Sequence, residues 1–313
     1  MIALEAIRAA QLRIRPYLHR TPTFTSRFLG SQTGSEVYLK AELFQKTGSF
    51  KPRGAINKLK QFSAEEKSRG IVTVSAGNHA QAVAFAAAME GIPCVVVMPS
   101  TAPKNKLDAT RGYGAKVILH DEMRTIFERT EEVRRENDSI LLHPFDDPEV
   151  IAGQGTTGLE IYEDVPAADT VVVGIGGGAL ISGIASAIKQ LNPKVRVIGV
   201  EPEGAPAMTR ALQEGKPVRL EKIETIADGL AAPYAGEWTL KCVQTYVEEV
   251  VLVTDQQIRD AVLLLLERAK LLVEPAGAAC AAALLAGKIR SPGKVVLVLS
   301  GGNLSLSLLK SWL

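Results

Sequence analysis

IVTVSAGNHAQAVAFAAAMEGIPCVVVMP, residues 71–99, reads as a strand, a polar turn, a helix and a second strand in succession. Its apolar runs do not alternate with polar residues, as expected of strands covered by helices on both faces. The unit recurs further along. Short β-branched runs begin near Ile71 (IVTV), Cys94 (CVVVM), Ala115 (AKVIL) and Ser139 (SILL), at spacings of 23, 21 and 24 residues, with stretches of helical composition between them. Parallel neighbours need a crossover, so this spacing predicts βαβ units and a parallel sheet.

A second series follows His143: a helix (VIAGQGTTGLEIYEDV), a strand (TVVVGI), a Gly-rich turn, a helix (ISGIASAIKQL) and a strand (VRVIGVE), with a last strand (KVVLVLS) running into SGGN. The expected fold class is α/β with two parallel-sheet domains. The larger takes residues 1–65 plus 147–313 and the smaller takes 66–146, with the chain crossing near Asp146-Asp147-Pro148.

Composition narrows the chemistry. Lys plus Arg number 36 and Asp plus Glu 34, a net charge of +2. That balance supplies no basic field for counterion-driven nucleic-acid binding, so a small-molecule substrate is expected. Cys94, Cys242 and Cys280 are far apart, and the four histidines, His19, His79, His120 and His143, are scattered. Neither a disulfide framework nor a Cys/His zinc site is encoded. The N-terminus is interrupted by Glu5, Arg8, Arg13 and Arg15, and the 13 uncharged residues Pro275 to Gly287 fall short of the roughly 20 a membrane span needs. A cytoplasmic protein is expected.

Three turns carry the chemistry. Gly174, Gly176, Gly177 and Gly178 follow an apolar strand and precede a helix. Such a turn lets a backbone approach a ligand closely, and the free N–H groups of a helix start attract phosphate. A dinucleotide reading requires G-x-G-x-x-G and an acid on the next strand; Glu201 supplies the acid, but Ala179 stands where the last glycine belongs. A compact cradle for one phosphate group is preferred, and a nicotinamide oxidoreductase is kept as the alternative. In Ser49-Phe50-Lys51-Pro52-Arg53-Gly54, Pro52 suits the first turn of a helix and holds Lys51 at its start, beside an aromatic ring. Burial lowers a lysine's pKa and makes its amine a nucleophile toward carbonyls. Ser75-Ala76-Gly77-Asn78-His79 ends a strand and opens a helix, where backbone N–H groups grip a carboxylate or the polar side chains simply cap. Ser300-Gly301-Gly302-Asn303 is a third polar turn at a strand's carboxyl end.

Taken in order, KTGSFKPRGA, SAGNHAQAVA, HPFDDPEVIAGQGTTGLEI, GIGGGAL, GVEP, IADGLA and VLSGGN resemble the fold type II pyridoxal-phosphate enzymes, and more closely the threonine/serine dehydratases (threonine deaminases) that are related to serine racemases. The match runs from about Arg20 to Asn303. The resemblance implies that Lys51 holds the cofactor as a Schiff base and removes the substrate Cα proton, with Phe50 beside the pyridine ring. It implies that Asn78 bonds the phenolic oxygen, and that Gly176, Gly177, Gly178, Ala179 and Leu180 bind the phosphate. Ser75, Gly77, Asn78 and His79 would hold the substrate, and Ser300 would sit at the pyridine nitrogen. A hydroxyl there leaves the ring nearly neutral and favours β-elimination over transamination. The implied reaction converts L-threonine to 2-oxobutanoate and ammonia, and L-serine to pyruvate, in a homo-oligomer (dimer or tetramer).

Three departures bear on this. Ala76 replaces the serine that serves racemases as second acid/base, so dehydration without efficient racemisation is expected. Ala179 and Gly174 depart from the usual phosphate loop, and the methyl at 179 gives up a positive φ. Of the divalent-cation ligands in racemase-like relatives, Glu201 and Ala205 keep their places, but Ala207 replaces the aspartate, so Ca²⁺ or Mg²⁺ is expected to bind weakly. The sequence runs ten residues past Asn303, so an isoleucine-binding regulatory domain is not expected. Alternatives within the family are a serine racemase or a hydroxyaspartate dehydratase. A non-catalytic amino-acid-binding module would leave Lys51 without a task.

Overall fold

A computed structural model describes residues 1–313. Ten strands run in chain order: β1 Thr23–Thr25, β2 Glu36–Ala41, β3 Ile71–Val74, β4 Cys94–Pro99, β5 Lys116–His120, β6 Ile140–Leu141, β7 Thr170–Gly174, β8 Arg196–Pro202, β9 Glu249–Val253 and β10 Lys294–Leu299. They form two sheets. The smaller has the order β5-β4-β3-β6 and the larger β1-β2-β10-β7-β8-β9. Every pairing is parallel except β1 with β2, where a short connection reverses the chain.

The small sheet contains all four predicted β-branched runs, in register Ile71 to Cys94, Val96 to Val117 and Ile71 to Ile140. Period-two geometry sends its side chains to two covers. Val72, Val74 and Val97 pack with Ile126 and Val133 of the helix Ile126–Glu136, while Val96 and Met98 pack with Ala80 and Ala84 of the helix Asn78–Glu90. β3 is buried along its whole length, whereas the edge strand β5 keeps Lys116 and Leu119 exposed.

In the large sheet β10, the last strand, lies between β2 and β7, so strands from both sides of the 71–141 segment share one sheet. One face packs on the Ala-rich helix Pro275–Leu285 and the other on Ala179–Leu191. Asp147 caps the helix Pro148–Asp164 by accepting from Glu149 N and Val150 N, and Asp146 accepts from Glu237 N, Trp238 N and Thr239 N at the start of the helix Glu237–Tyr246. The two acids at the return from small sheet to large each anchor a different helix. No helix is long and apolar enough to cross a membrane. The carboxyl ends of β3, β7 and β10 open onto one cavity between the sheets, which is where open α/β folds bind ligands.

Candidate active site

Lys51 sits immediately before the helix Pro52–Leu59, with Pro52 in the first turn as its fixed φ favours. Two residues on, Arg53 drives the helix into the protein: its Nε and Nη2 donate to the Glu42 carboxylate at 2.8 Å each, and Nη1 and Nη2 donate to Glu160 at 2.7 and 2.9 Å. The helix that presents the lysine is therefore held from behind by a doubly bidentate guanidinium. Lys51 Nζ lines the cavity, 5.2 Å from the centre of the Phe50 ring, and donates to Pro144 O at 3.1 Å. Burial without an anionic partner pulls its pKa from 10.5 down to about 8. At that value a useful fraction of the amine is neutral and nucleophilic near physiological pH.

Opposite lies the glycine turn. Gly176, Gly177, Gly178, Ala179 and Leu180 all line the same cavity, and the helix Ala179–Leu191 starts there with its N–H groups directed inward. The left-handed residue is Gly178, at φ 101°, one position earlier than the sequence suggests. Ala179 is the first residue of the helix, so its methyl gives up nothing. Gly177 is required for another reason: a Cβ there would lie within the ring of Phe145. Thr239 Oγ1 donates to Gly177 O at 2.8 Å and fixes the turn from the far side.

The Ser75–His79 turn forms the third wall. Ser75 Oγ accepts from Gly77 N at 3.0 Å, and Gly77 precedes the helix Asn78–Glu90, whose first N–H groups are free. Thr73 Oγ1 gives its proton to Leu142 O at 2.7 Å, so the 3.1 Å contact from His79 Nε2 is a donation to Thr73. Burial, with Lys51 nearby, holds the imidazole pKa well below its usual value. A neutral ring used in this way does not bind a carboxylate, and His79 offers only its backbone N–H. Asn78 Oδ1 accepts from Asn303 Nδ2 at 2.9 Å, and Asn78 Nδ2 donates one hydrogen to Glu274 Oε1. Ser300, at the end of β10, also lines the cavity; its carbonyl accepts from Phe50 N at 3.1 Å and so draws the Lys51 segment alongside.

The groups at the expected cation positions have partners within the protein. The carboxylate of Glu201 accepts from Met208 N at 2.7 Å, Thr209 N at 2.9 Å and Thr209 Oγ1 at 2.6 Å, and the carbonyl of Ala205 accepts from Ala207 N at 3.0 Å. These residues cap the helix Ala207–Glu214. No group of three His, Cys, Asp or Glu side chains is placed to hold a metal ion. With Ala207 in place of an acid, the helix N–H groups are the partners of Glu201, but burial outweighs them and lifts its carboxyl to about 7.

Sequence reasoning missed three cavity residues. Lys106, from the helix Lys104–Gly112, donates to Asp228 Oδ2 at 2.7 Å and to Glu274 Oε2 at 3.1 Å, and all three line the cavity. Burial opposes the Lys106 charge, but Glu274 and Asp228 outweigh it and raise its pKa; burial pushes Glu274 up as well. Glu274 directly before Pro275 is a helix-start signal, and IADGLA contains Asp228, yet neither pattern shows that the three side chains meet.

A depressed lysine, a helix-start anion cradle and a serine at a strand end, facing one another across a cleft, fit an aldehyde cofactor bearing a phosphate and a ring nitrogen. The chain belongs to the pyridoxal-phosphate dependent enzymes, whose family pattern matches residues 14–301. Among characterised relatives it is 48% identical to the L-threonine ammonia-lyase of Thermotoga maritima, over 99% of this chain and 77% of that one. It is 44% identical to the catabolic L-threonine dehydratase of Staphylococcus aureus, over 98% and 90%. Of solved structures, maize serine racemase superposes with a TM-score of 0.94 at 40% identity, covering 99% of this chain and 97% of that chain. A threonine deaminase from T.th. gives 0.91 at 40% identity, covering 97% and 99%. The nicotinamide alternative falls with the family assignment.

Proposed function

We propose that this chain deaminates L-threonine to 2-oxobutanoate and ammonia, and L-serine to pyruvate and ammonia. The observation that carries the reading is Lys51: an amine without an acidic partner, lowered to about 8, on the floor of a cavity walled by two helix starts. The names of the 48% and 44% identical relatives support the choice of substrate.

Bound pyridoxal phosphate supplies the electron sink that makes a Cα proton removable. This chain's residues do the rest. The N–H groups at the start of Ala179–Leu191, with Gly176 and Gly177, hold the phosphate, and Phe50 packs against the ring. Ser300 meets the ring nitrogen with a hydroxyl rather than a charge. The free N–H groups at the start of Asn78–Glu90 hold the substrate carboxylate, and Lys51 Nζ takes the Cα proton. The unit built on the small sheet, residues 66–146, closes on the remainder and excludes water.

Ala76 lines the cavity and bears no hydroxyl, so the far face of Cα has no proton donor at that position. Racemisation is accordingly a side reaction at most, despite the likeness to serine racemase. The test is the visible spectrum and turnover of the pyridoxal-phosphate-loaded protein with L-threonine. Wild type should show a visible band that changes on substrate addition and release 2-oxobutanoate, and Lys51→Ala should lose both. A protein that takes up no cofactor, or one that is loaded yet releases no 2-oxo acid from either substrate, rejects the reading.

A further inference from the structure

Lys106 is assigned no task by the reaction as described. It arises on the helix Lys104–Gly112, between β4 and β5 of the small sheet, yet its ammonium lies among groups borne by the large-sheet unit. Asp228 comes from the short helical turn Asp228–Leu230, and Glu274 from the residue before the helix Pro275–Leu285. Lys106 is only 3% exposed, and Gly77 packs on it so closely that a Cβ at 77 would fall 2.6 Å from its Cδ. The side chain thus passes under the Ser75–His79 turn to reach the opposite wall.

Glu274 uses its two oxygens differently: Oε2 faces Lys106, and Oε1 accepts from Asn78 Nδ2. Asn303 holds the other end of that amide. With Oδ1 and one amide hydrogen fixed, the second hydrogen of Asn78 Nδ2 is left for the cavity. How firmly that hydrogen is aimed depends on Glu274 staying ionised: a protonated carboxyl accepts only weakly through its carbonyl oxygen, and burial favours that neutral form unless a cation compensates the charge.

We propose that Lys106 is a positioning residue for the deamination: by bridging from the small-sheet unit to Glu274 and Asp228 it keeps Glu274 ionised, and so a strong acceptor that sets the Asn78 amide, so that closing the cleft and aligning the site are a single event. The inference rests on the proposed function. It differs in kind from the role of Lys51, because Lys106 acts on the reacting atoms only through Glu274 and Asn78.

The test uses pyridoxal-phosphate-loaded wild type, Lys106→Met, Glu274→Gln and the double variant, with L-threonine as substrate. Each single change is expected to lower kcat at least tenfold with a smaller change in KM, and to perturb the visible band before substrate is added. The double variant should be no worse than the poorer single one, because both changes break the same relay. Amide hydrogen exchange should show faster exchange in residues 104–112 in both single variants. Should Lys106→Met fail to fold, Glu274→Gln keeps the shape, removes the charge and gives the same readings. Wild-type kcat in either single variant, losses that multiply in the double, or unchanged band and exchange would each overturn the proposal. If wild type turns over neither threonine nor serine, the proposed function fails instead; band and exchange, read without substrate, still decide whether Lys106 sets the site.

Discussion

Two buried ionic clusters made of the same residue types lie in this molecule. Around Arg53 the cations Arg53 and Lys40 meet Glu42 and Glu160, with Thr21 and Thr156 accepting further guanidinium hydrogens. Lys40 also reaches Asp164, which Arg20 holds toward the surface, and every member lies outside the 71–141 segment. Burial works against the Arg53 charge, but Glu42 and Glu160 overcome it and keep the guanidinium protonated. Around Lys106, one cation faces two carboxylates and the pairs cross between units. The first cluster places every guanidinium nitrogen of Arg53 on a carboxylate and fixes a helix; the second sets one cation from the small-sheet segment between two acids of the large-sheet side. A network whose polar groups are all paired confers rigidity, whereas the one at Lys106, through Asn78, leaves an amide hydrogen available to a ligand.

The largest effect separating the two should come from Arg53→Met. Breaking a fully buried pair strands Glu42 and Glu160, which should cost about 3–5 kcal/mol in thermal or urea unfolding. A loss below about 1 kcal/mol, the scale of exposed pairs, would show that the cluster is not what holds the Lys51 helix.

Lys51 sharpens the contrast from the other side, as a cation with no acid at all. Burial lowers its pKa from 10.5 to about 8, so between those values the unfolded chain binds more protons and stability rises with pH. Below pH 8 the cofactor-free Lys51→Met variant should be more stable than wild type, by at most about 3 kcal/mol at about 1.36 per pH unit. The advantage should shrink above pH 8 and vanish by 10.5; a melting-temperature difference that ignores pH across this window would contradict the assignment.

Asp228→Asn should give the smallest effect. It removes one of the two acids while Glu274 still holds Lys106, so unfolding free energy should change by less than about 1 kcal/mol. A loss as large as that of Arg53→Met would mean that the two clusters do the same work.

What could be read in advance follows from locality. The strands starting at Ile71, Cys94, Lys116 and Ile140 announce themselves through β-branched runs, most fully in β3 and β4, where burial on both faces leaves little other composition. Lys51 before Pro52 and the glycine turn before Ala179 are helix-start signals written in adjacent residues. Lys106 is different. In PKNKLD it resembles Lys104, which is exposed and paired with Asp108, and only the crossing of two units brings it to Glu274, 168 positions away. The ring of His79 is likewise claimed from a distance, by Thr73 of the preceding strand. The Asp146-Asp147 pair stands between β6 and the helix Pro148–Asp164, yet the second helix it holds, at Glu237, lies 91 positions further on and leaves no trace nearby.

The pairing of β3 with β6 places the start and the end of the 71–141 segment side by side, Ile71 against Ile140 and Val72 against Leu141. A segment whose two ends are neighbours can be exchanged between related chains as a cassette, since its ends need no new path to rejoin the host. In such a hybrid, Lys106 would come from one parent and Asp228 and Glu274 from the other. The junctions would tolerate the exchange readily, and compatibility would be decided far from either splice, at one ammonium and the two acids waiting for it.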